Sequence, residues 1–433
     1  MTCTKKITLT LVCYSCIFYS KAQEIYFPPN NSNEWETTSI DEVNWCQDKI
    51  DSLYNFLEDE YTKSFLVLKD GRIILEKYFG TFTADSLFVW FSAGKSLKAL
   101  LVGIAQEEGH LSINDPTSMY LGEGWTSATR EQEDSIRIIH QMNMTTGLND
   151  SSFSCTEPEC LWYLAPVDSR WKYTNGPYNL LRDVLENATG QNLNVFTNQR
   201  VENIIGMNGV WAPVAYNNFY FSIARDMARF GIMILNGGDW NGTEVISDKT
   251  YFNNMINSSQ NINPSYGYLW WLNGKDSFIP PGTTEVFEGP IAPDAPEDII
   301  VAAGSQGQFI SISPSNGLIM IRQGGSEEES FTSFELHNSI WAHILNLECP
   351  VTSVENIVSK QDIIVVPNPA THRIQVVGLE KEKVQYAIFR LDGKEVPADC
   401  YDHMIQVSNL SPGVYFLQII SDEFNETKKI IIE

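Results

Sequence analysis

The stretch FSAGKSLKALLVGIAQEEGH, residues 91–110, carries two superimposed signals. Its Gly94-Lys95-Ser96 ends like a phosphate-binding loop, while Ser92-Ala93-Gly94-Lys95 sets a serine three residues before a lysine. A phosphate loop needs a glycine five residues ahead of the glycine of its GKS, so that backbone N–H groups can curl around an anion. That position is Val89, within Phe88-Val89-Trp90-Phe91, and no such cradle forms. The second signal agrees with the residues C-terminal to it. Leu97, Leu100, Leu101, Ile104 and Ala105 recur at helical spacing, and Ala99 and Val102 make the other side apolar too, which predicts a buried helix. Ser92 at the start of that helix has Lys95 one turn along on the same face. Burial lowers the proton affinity of a lysine, so it can take the serine proton. The helix N-terminus offers N–H groups and positive potential to an oxyanion.

The flanking segments read as a sheet with helices over it. Residues 39–57 predict a helix, with Ser39 and Glu42 at capping-box spacing and Ile40, Val43, Ile50, Leu53 and Leu57 at helical intervals. A hairpin comes next, SFLVL and RIILEKYF about Asp70-Gly71. The chain is then mostly helical and loop-rich to about residue 260. Strands return with SYGYLWWL, then QFISIS and LIMIR about Asn316-Gly317, and a last helix runs from about Phe331 to Leu347. This order predicts an α/β (α+β) domain over residues 23–349, an antiparallel sheet flanked by helices with an inserted helical region. Strand alternation makes one of Trp270 and Trp271 core and the other exposed or site-facing. Residues 350–361 are polar and aperiodic, a linker, and residues 362–433 alternate as a small all-β sandwich with a hairpin turn at Asp392-Gly393.

Composition narrows the function classes. The 433 residues are 43% hydrophobic, enough for a packed core, and the net charge is −25. That charge argues against nucleic acid as a partner, which would need a basic stripe. Lys5 and Lys6, the apolar residues 7–19 and the small-residue site Ser20-Lys21-Ala22 give residues 1–22 the layout of a secretory signal peptide. No later run is long enough to span a bilayer, so the mature chain carries no membrane span. An oxidising exterior permits disulfides. Cys155 and Cys160 could close the CTEPEC loop, and Cys46 and Cys349 could meet if the first and last helices pack together, leaving Cys400 over. His110, His140, His337, His343, His372 and His403 show no metal-ligand spacing, so neither a metal nor a cofactor is expected, and His140 reads as structural. Ser92 lacks Gly-x-Ser-x-Gly context, which disfavours a Ser-His-Asp triad.

Residues 35–348 resemble the serine β-lactamase and penicillin-binding-protein-like superfamily, nearest to its class C β-lactamase, esterase and 6-aminohexanoate-dimer-hydrolase branch. The resemblance rests on ordered blocks: residues 91–121, MTTGL at 144–148, WKYTNGPYNLLRDVLENATGQNL at 171–193, ARDMARFGIMILNGGDWNGTEVIS at 224–247, YGYLWWL at 266–272 and AAGSQGQFISISP at 302–314. It implies that Ser92 is the nucleophile and Lys95 its partner. Tyr173, in Tyr173-Thr174-Asn175, would be general base and acid, held near deprotonation by lysines or a hydrogen bond to Lys95. Asn175 would orient the lysine or a substrate amide. Tyr-x-Asn also occurs at Tyr216 and Tyr251, without the family's neighbours. Gly304 would allow close backbone approach, and the N–H of Ser305 would join that of Ser92 in an oxyanion hole. Where many relatives have Lys-Thr-Gly or His-x-Gly, this chain has Ala302-Ala303-Gly304. Without a basic side chain there, a substrate carboxylate has less to pair with.

The tail resembles the C-terminal sorting domain of type IX secretion, through Val366-Pro367-Asn368-Pro369, Leu391-Asp392-Gly393-Lys394, residues 410–416 and Lys428-Lys429-Ile430-Ile431-Ile432. The resemblances together imply a hydrolase of a Bacteroidetes-type bacterium, secreted or on the cell surface, partnered by the type IX machinery. Its substrate would be a small ester, amide or peptide-like molecule cleaved through an acyl-serine. The alternatives are a β-lactamase or D-alanyl-D-alanine carboxypeptidase, and an inactive binding protein on the same fold.

Overall fold

The two hairpins expected from Asp70-Gly71 and Asn316-Gly317 set the frame of the first domain. Asp70 and Gly71 both take positive φ, 47° and 84°, so Lys69 pairs with Arg72 across a two-residue turn. The computed structural model describes residues 25–149, 151, 154–325, 333–350, 363–379, 384–401, 403–421 and 425–433. Residues 1–22, expected as a signal peptide, and nearly all of residues 350–361, expected as a linker, lie outside the described residues. The chain divides into two units, Met1–Cys349 and Pro350–Glu433.

In the first unit we label helices α1 Gln47–Asp59, α2 Gly94–Glu107, α3 Leu181–Thr189, α4 Ala224–Leu235 and α5 Phe334–Leu345. The main strands are β1 Thr62–Lys69, β2 Arg72–Tyr78, β3 Trp271–Leu272, β4 Ile300–Gly304, β5 Gln308–Ser313 and β6 Leu318–Gly324. They form one antiparallel sheet in the order β2-β1-β6-β5-β4-β3. Neighbouring residues of β5 face opposite sides. Ile310 points to Gly231 of α4, while Ser311 bonds His337 of α5 at 2.8 Å. Helices therefore cover both faces. The mixed architecture with a helical insert is as expected, and the fold places α2 inside it, with every residue from Gly94 to Ala105 buried.

Three boundaries differ from the sequence reading. The Ser39–Glu42 box forms, with reciprocal backbone-to-side-chain bonds, but it closes only a turn. Asn44 takes φ 54° and breaks the helical path, so α1 begins at Gln47. Of SYGYLWWL only Trp271 and Leu272 join the sheet, because Leu269 takes φ 60° and turns the chain. The last helix begins at Phe334, capped by the Ser333 hydroxyl.

Both disulfides left open by the sequence are formed, Cys46–Cys349 and Cys155–Cys160, and Cys400 is free and exposed. The first joins the ends of the domain where α1 and α5 lie together, with Cys46 N–H donating to the Leu347 carbonyl and Phe56 stacked on His343. In the second unit the strands form two four-stranded antiparallel sheets, one of residues 364–366, 373–377, 400–401 and 404–406, the other of residues 385–390, 395–396, 413–420 and 425–432. Ile374, Ile405, Leu417, Ile419 and Ile430 are fully buried in its own core.

The Cys46–Cys349 bridge spans 303 residues of sequence, so it restricts the unfolded chain strongly. Replacing both cysteines by serine is expected to lower stability by about 2–4 kcal/mol in denaturant titration, with the folded circular dichroism spectrum retained.

Candidate active site

Ser92 is held from behind before it meets anything in front. Phe88 and Val89 pair with Ser222 and Phe221, and Trp90 N–H donates to the Tyr220 carbonyl. The Trp90 indole is fully buried, bonded to Ser222 Oγ at 2.9 Å and edge-on to Tyr220 at 4.9 Å. The next residue, Phe91, takes φ 48°, a strained region for a side chain of its size, costing about 1–3 kcal/mol. The strain delivers Ser92 into a single 3-10 turn, Phe91–Ala93, that leads directly into α2. Ser92 thus sits just before the α-helix rather than on its first turn.

Lys95, on that first turn, donates from Nζ to Ser92 Oγ at 2.9 Å. Its residue is only 3% exposed, and its ammonium lies 4.2 Å from the centre of the Tyr178 ring and 5.2 Å from that of Tyr173. Burial, then the neighbouring charge of Lys98, holds the Lys95 amine well below the ordinary lysine range. The neutral amine is the form that can accept a proton.

Tyr173 comes in on the extended residues ahead of the short helix Asn175–Asn179, and its phenol hydrogen-bonds the Ser92 hydroxyl. Burial pushes this phenol upward from its ordinary range. It is therefore held protonated, not near deprotonation as the resemblance implied. The phenolate would lose its hydration among the rings of Trp171, Tyr266 and Trp271, and the tyrosine ring is stacked on the last at 6.0 Å. Asn175 is buried beside it in sequence, and its Oδ1 has no hydrogen-bond partner among the described residues, Lys95 included. Gly176 has the Cys155 carbonyl 2.5 Å from where a Cβ would stand, so the disulfide loop lies against this helix.

The end of β4 closes the third side. A Cβ at Gly304 would lie 2.4 Å from the Trp90 carbonyl oxygen and 3.0 Å from Ala93 N. Only glycine lets the strand approach the serine turn this closely. Ser305 comes next, in the turn Ser305–Gly307, where Gln306 and Gly307 take φ 61° and 73°. The turn's carbonyls are taken up from within the fold. Gln308 bonds those of Ser305 and Gln306, and Arg322 those of Gln306 and Gly307. Ala302 is buried and presents no charge.

The fold brings Ser92, Lys95, Tyr173 and the Gly304 backbone together directly, and Asn175 and Ser305 stand next to members of that group in the chain. Trp270 is the core member of the Trp270-Trp271 pair, stacked on Phe230, and Trp271, also buried, is the site-facing one, stacked on Tyr173. A second Ser-x-x-Lys, Ser169 to Lys172, lies in irregular chain with Ser169 Oγ bonded to the Pro166 carbonyl. His140 is buried, accepts from Arg137 N–H and faces Asp168 at 3.3 Å, in keeping with a structural part. Sequence reading missed Lys98 and Tyr178, which line the Lys95 amine, and Arg322 and Gln308, which hold the β4 turn. A lysine inside the apolar run 97–105 was the available signal for Lys98.

The chain belongs to the beta-lactamase family, whose match spans residues 57–323 and takes in Ser92, Lys95, Tyr173 and β4. Residues 364–433 match the secretion system C-terminal sorting domain. The 6-aminohexanoate-dimer hydrolase of Paenarthrobacter ureafaciens is 21% identical over 270 residues, 53% of this chain and 68% of the relative. Among solved structures, a candidate 6-aminohexanoate-dimer hydrolase from Bacillus anthracis aligns with a TM-score of 0.55 at 17% identity, covering 74% of this chain and 90% of that one. A candidate beta-lactamase from Bacteroides dorei aligns with a TM-score of 0.53 at 18% identity, covering 70% and 99%. At these identities the structural likeness is one of fold. The protein is a beta-lactamase-family hydrolase with a secretion sorting tail, which marks it for export or display at the cell surface. Among the described residues no helix is long and apolar enough to cross a membrane.

Gly304→Ala places a methyl against the Trp90 carbonyl and pushes the serine turn away. The expected result is a roughly hundredfold or greater fall in reactivity of Ser92 toward an active-site phosphonate, with the melting temperature lowered by only a few degrees.

Proposed function

We propose that this protein cleaves a small ester or amide through an acyl-serine intermediate. The observation that carries the reading is the 2.9 Å contact between the buried Lys95 amine and Ser92 Oγ. Ser92 Oγ attacks the substrate carbonyl as its proton passes to Lys95 Nζ. The tetrahedral oxyanion lies against the N–H groups of Ser92 and Ser305. The leaving alkoxide or amine takes a proton from the Tyr173 phenol or the Lys95 ammonium. Water, deprotonated by the same groups, then releases the acid and restores the serine. Asn175, with an Oδ1 that is buried and unbonded among the described residues, suits an amide N–H of the substrate.

Ala302 supports a neutral scissile group over one flanked by a carboxylate, since no basic side chain stands at that position to pair with it. Relatedness to a 6-aminohexanoate-dimer hydrolase supports the same amide- or ester-cleaving class. The sorting tail supports delivery by type IX secretion in a Bacteroidetes-type bacterium, with the substrate met outside the cytoplasm.

A fluorophosphonate is expected to label the wild-type chain at Ser92, as read by peptide mass. The Ser92→Ala variant should lose the label and its hydrolysis of an ester and amide panel. Equal labelling of that variant overturns the assignment, and turnover of a chromogenic cephalosporin well above the panel replaces the ester or amide reading with a β-lactamase. Lys95→Met is expected to cut acylation by roughly 10²–10⁴-fold. The wild-type rate should rise from acid toward neutral pH, with its acidic limb well below the ordinary lysine value of 10.5, because the Lys95 amine must be neutral to accept the proton.

A further inference from the structure

Lys98 has no place in the acyl-serine mechanism, yet it puts a fully buried amine at the domain's centre. It stands one turn beyond Lys95 on α2 at zero exposure, and its Nζ has no hydrogen-bond partner among the described residues. A buried amine left without a partner costs stability unless something else requires it. Its surroundings are aromatic: Nζ lies 4.4 Å from the Tyr178 ring centre and 5.1 Å from that of Trp211. Lys95 Nζ lies 4.2 Å from the same Tyr178 ring. Two amines therefore meet on one aromatic ring inside the protein, and only Lys95 of the two touches Ser92.

The charges facing this pair come from few elements. Lys95 itself lies on α2. The short helix Asn175–Asn179 contributes Tyr178, whose phenol burial pushes upward and keeps neutral. Tyr173, also kept neutral, comes from the residue before Thr174. Arg182, Asp183 and Glu186 come from α3, where Arg182 and Asp183 pair with each other at 2.7 Å. The strand Val210–Val214 contributes Trp211, whose indole N–H is bonded to Thr197.

We propose that Lys98 is a positioning residue for the Ser92–Lys95 pair: seated on the Tyr178 ring that Lys95 also occupies, its amine discourages a second proton beside it and so keeps Lys95 free to receive the one from Ser92. The proposal rests on the acyl-serine reading. The two amines then share roughly one proton, as coupled sites do. Burial, and next the nearby Arg182, lowers the Lys98 amine to about 7, so the partner charge is present in the acid and neutral range where acylation needs it.

The test is the pH dependence of fluorophosphonate labelling in the full chain, comparing wild type with Lys98→Met and Lys98→Gln. In the labelling step the Ser92 Oγ–phosphorus bond forms, the phosphorus–fluorine bond breaks with fluoride leaving, and the serine proton goes to Lys95. With Lys98 neutralised, Lys95 holds its own proton more tightly, and the acidic limb is expected to move toward alkaline pH by about one unit in both variants. Folding is expected to survive. A lysine lowered to about 7 on folding loses stability as pH falls from 10.5 toward 7, because the unfolded chain binds the proton first, so Lys98→Met should melt higher than wild type at neutral pH. A purely packing role for Lys98 would change the melting temperature and leave the limb in place. Folded variants whose limb stays put or moves to lower pH overturn the proposal while the acyl-serine reading stands. A wild-type chain unlabelled at Ser92 overturns both.

Discussion

The structure turns on a lysine carried into the protein interior. An ammonium group loses most of its hydration there, and unless it is paired the neutral amine is the form that survives. The contacts of Lys95 are a serine hydroxyl and two tyrosine rings, none of which carries a negative charge to hold the proton. Everything around the site serves that burial. The helix that bears Lys95 is covered on all sides from Gly94 to Ala105, the end of β4 closes in through a glycine, and the aromatic residues at 171, 173, 266 and 271 pack together beside Lys95.

Strained backbone and unbonded buried groups occur in several parts of the chain, and some of them fall at the site. Phe91 holds a positive φ, Lys98 Nζ and Asn175 Oδ1 lack partners among the described residues, and the 305–307 turn needs two successive left-handed residues. Each is unfavourable locally: Phe91 immediately precedes the serine, Lys98 shares a ring with Lys95, and Asn175 and the 305–307 turn follow closely on Tyr173 and Gly304 in the chain. Left-handed residues away from the site, such as Asn44 and Leu269, set element boundaries instead. The hairpins at Asp70-Gly71 and Asn316-Gly317 have turn residues suited to their geometry. The sorting tail keeps a core of its own made of alternating strand residues.

Much of the architecture was legible because it is local. The all-round apolar helix, the two hairpins, the sandwich-like tail and the serine–lysine spacing are periodicities of 3.6 and 2 or short turn signals, which need no knowledge of distant contacts. The misjudged boundaries show the limit. Asn44 and Leu269 took left-handed angles that interrupted a continuous hydrophobic pattern, and such choices depend on what the next segment must reach. The protonation state expected for Tyr173 failed for a similar reason. The sequence shows a tyrosine near a lysine, but only the fold shows that the phenol is buried, and burial disfavours the phenolate more than a neighbour can offset.

The sequence by itself determined that a serine and a lysine lie one turn apart at the mouth of a buried helix, because helix geometry fixes that spacing wherever the helix is placed. It also determined that Ala302 leaves the neighbouring strand without a basic side chain. Tertiary structure alone decided that Tyr173 reaches Ser92, that Gly304 meets the Trp90 carbonyl, and that Lys98 shares a ring with Lys95. Tyr173 from Ser92, Gly304 from Trp90, and the Tyr178 ring from the two lysines are tens to hundreds of residues apart, and only the packing of the sheet against the helical insert brings them within a few ångströms.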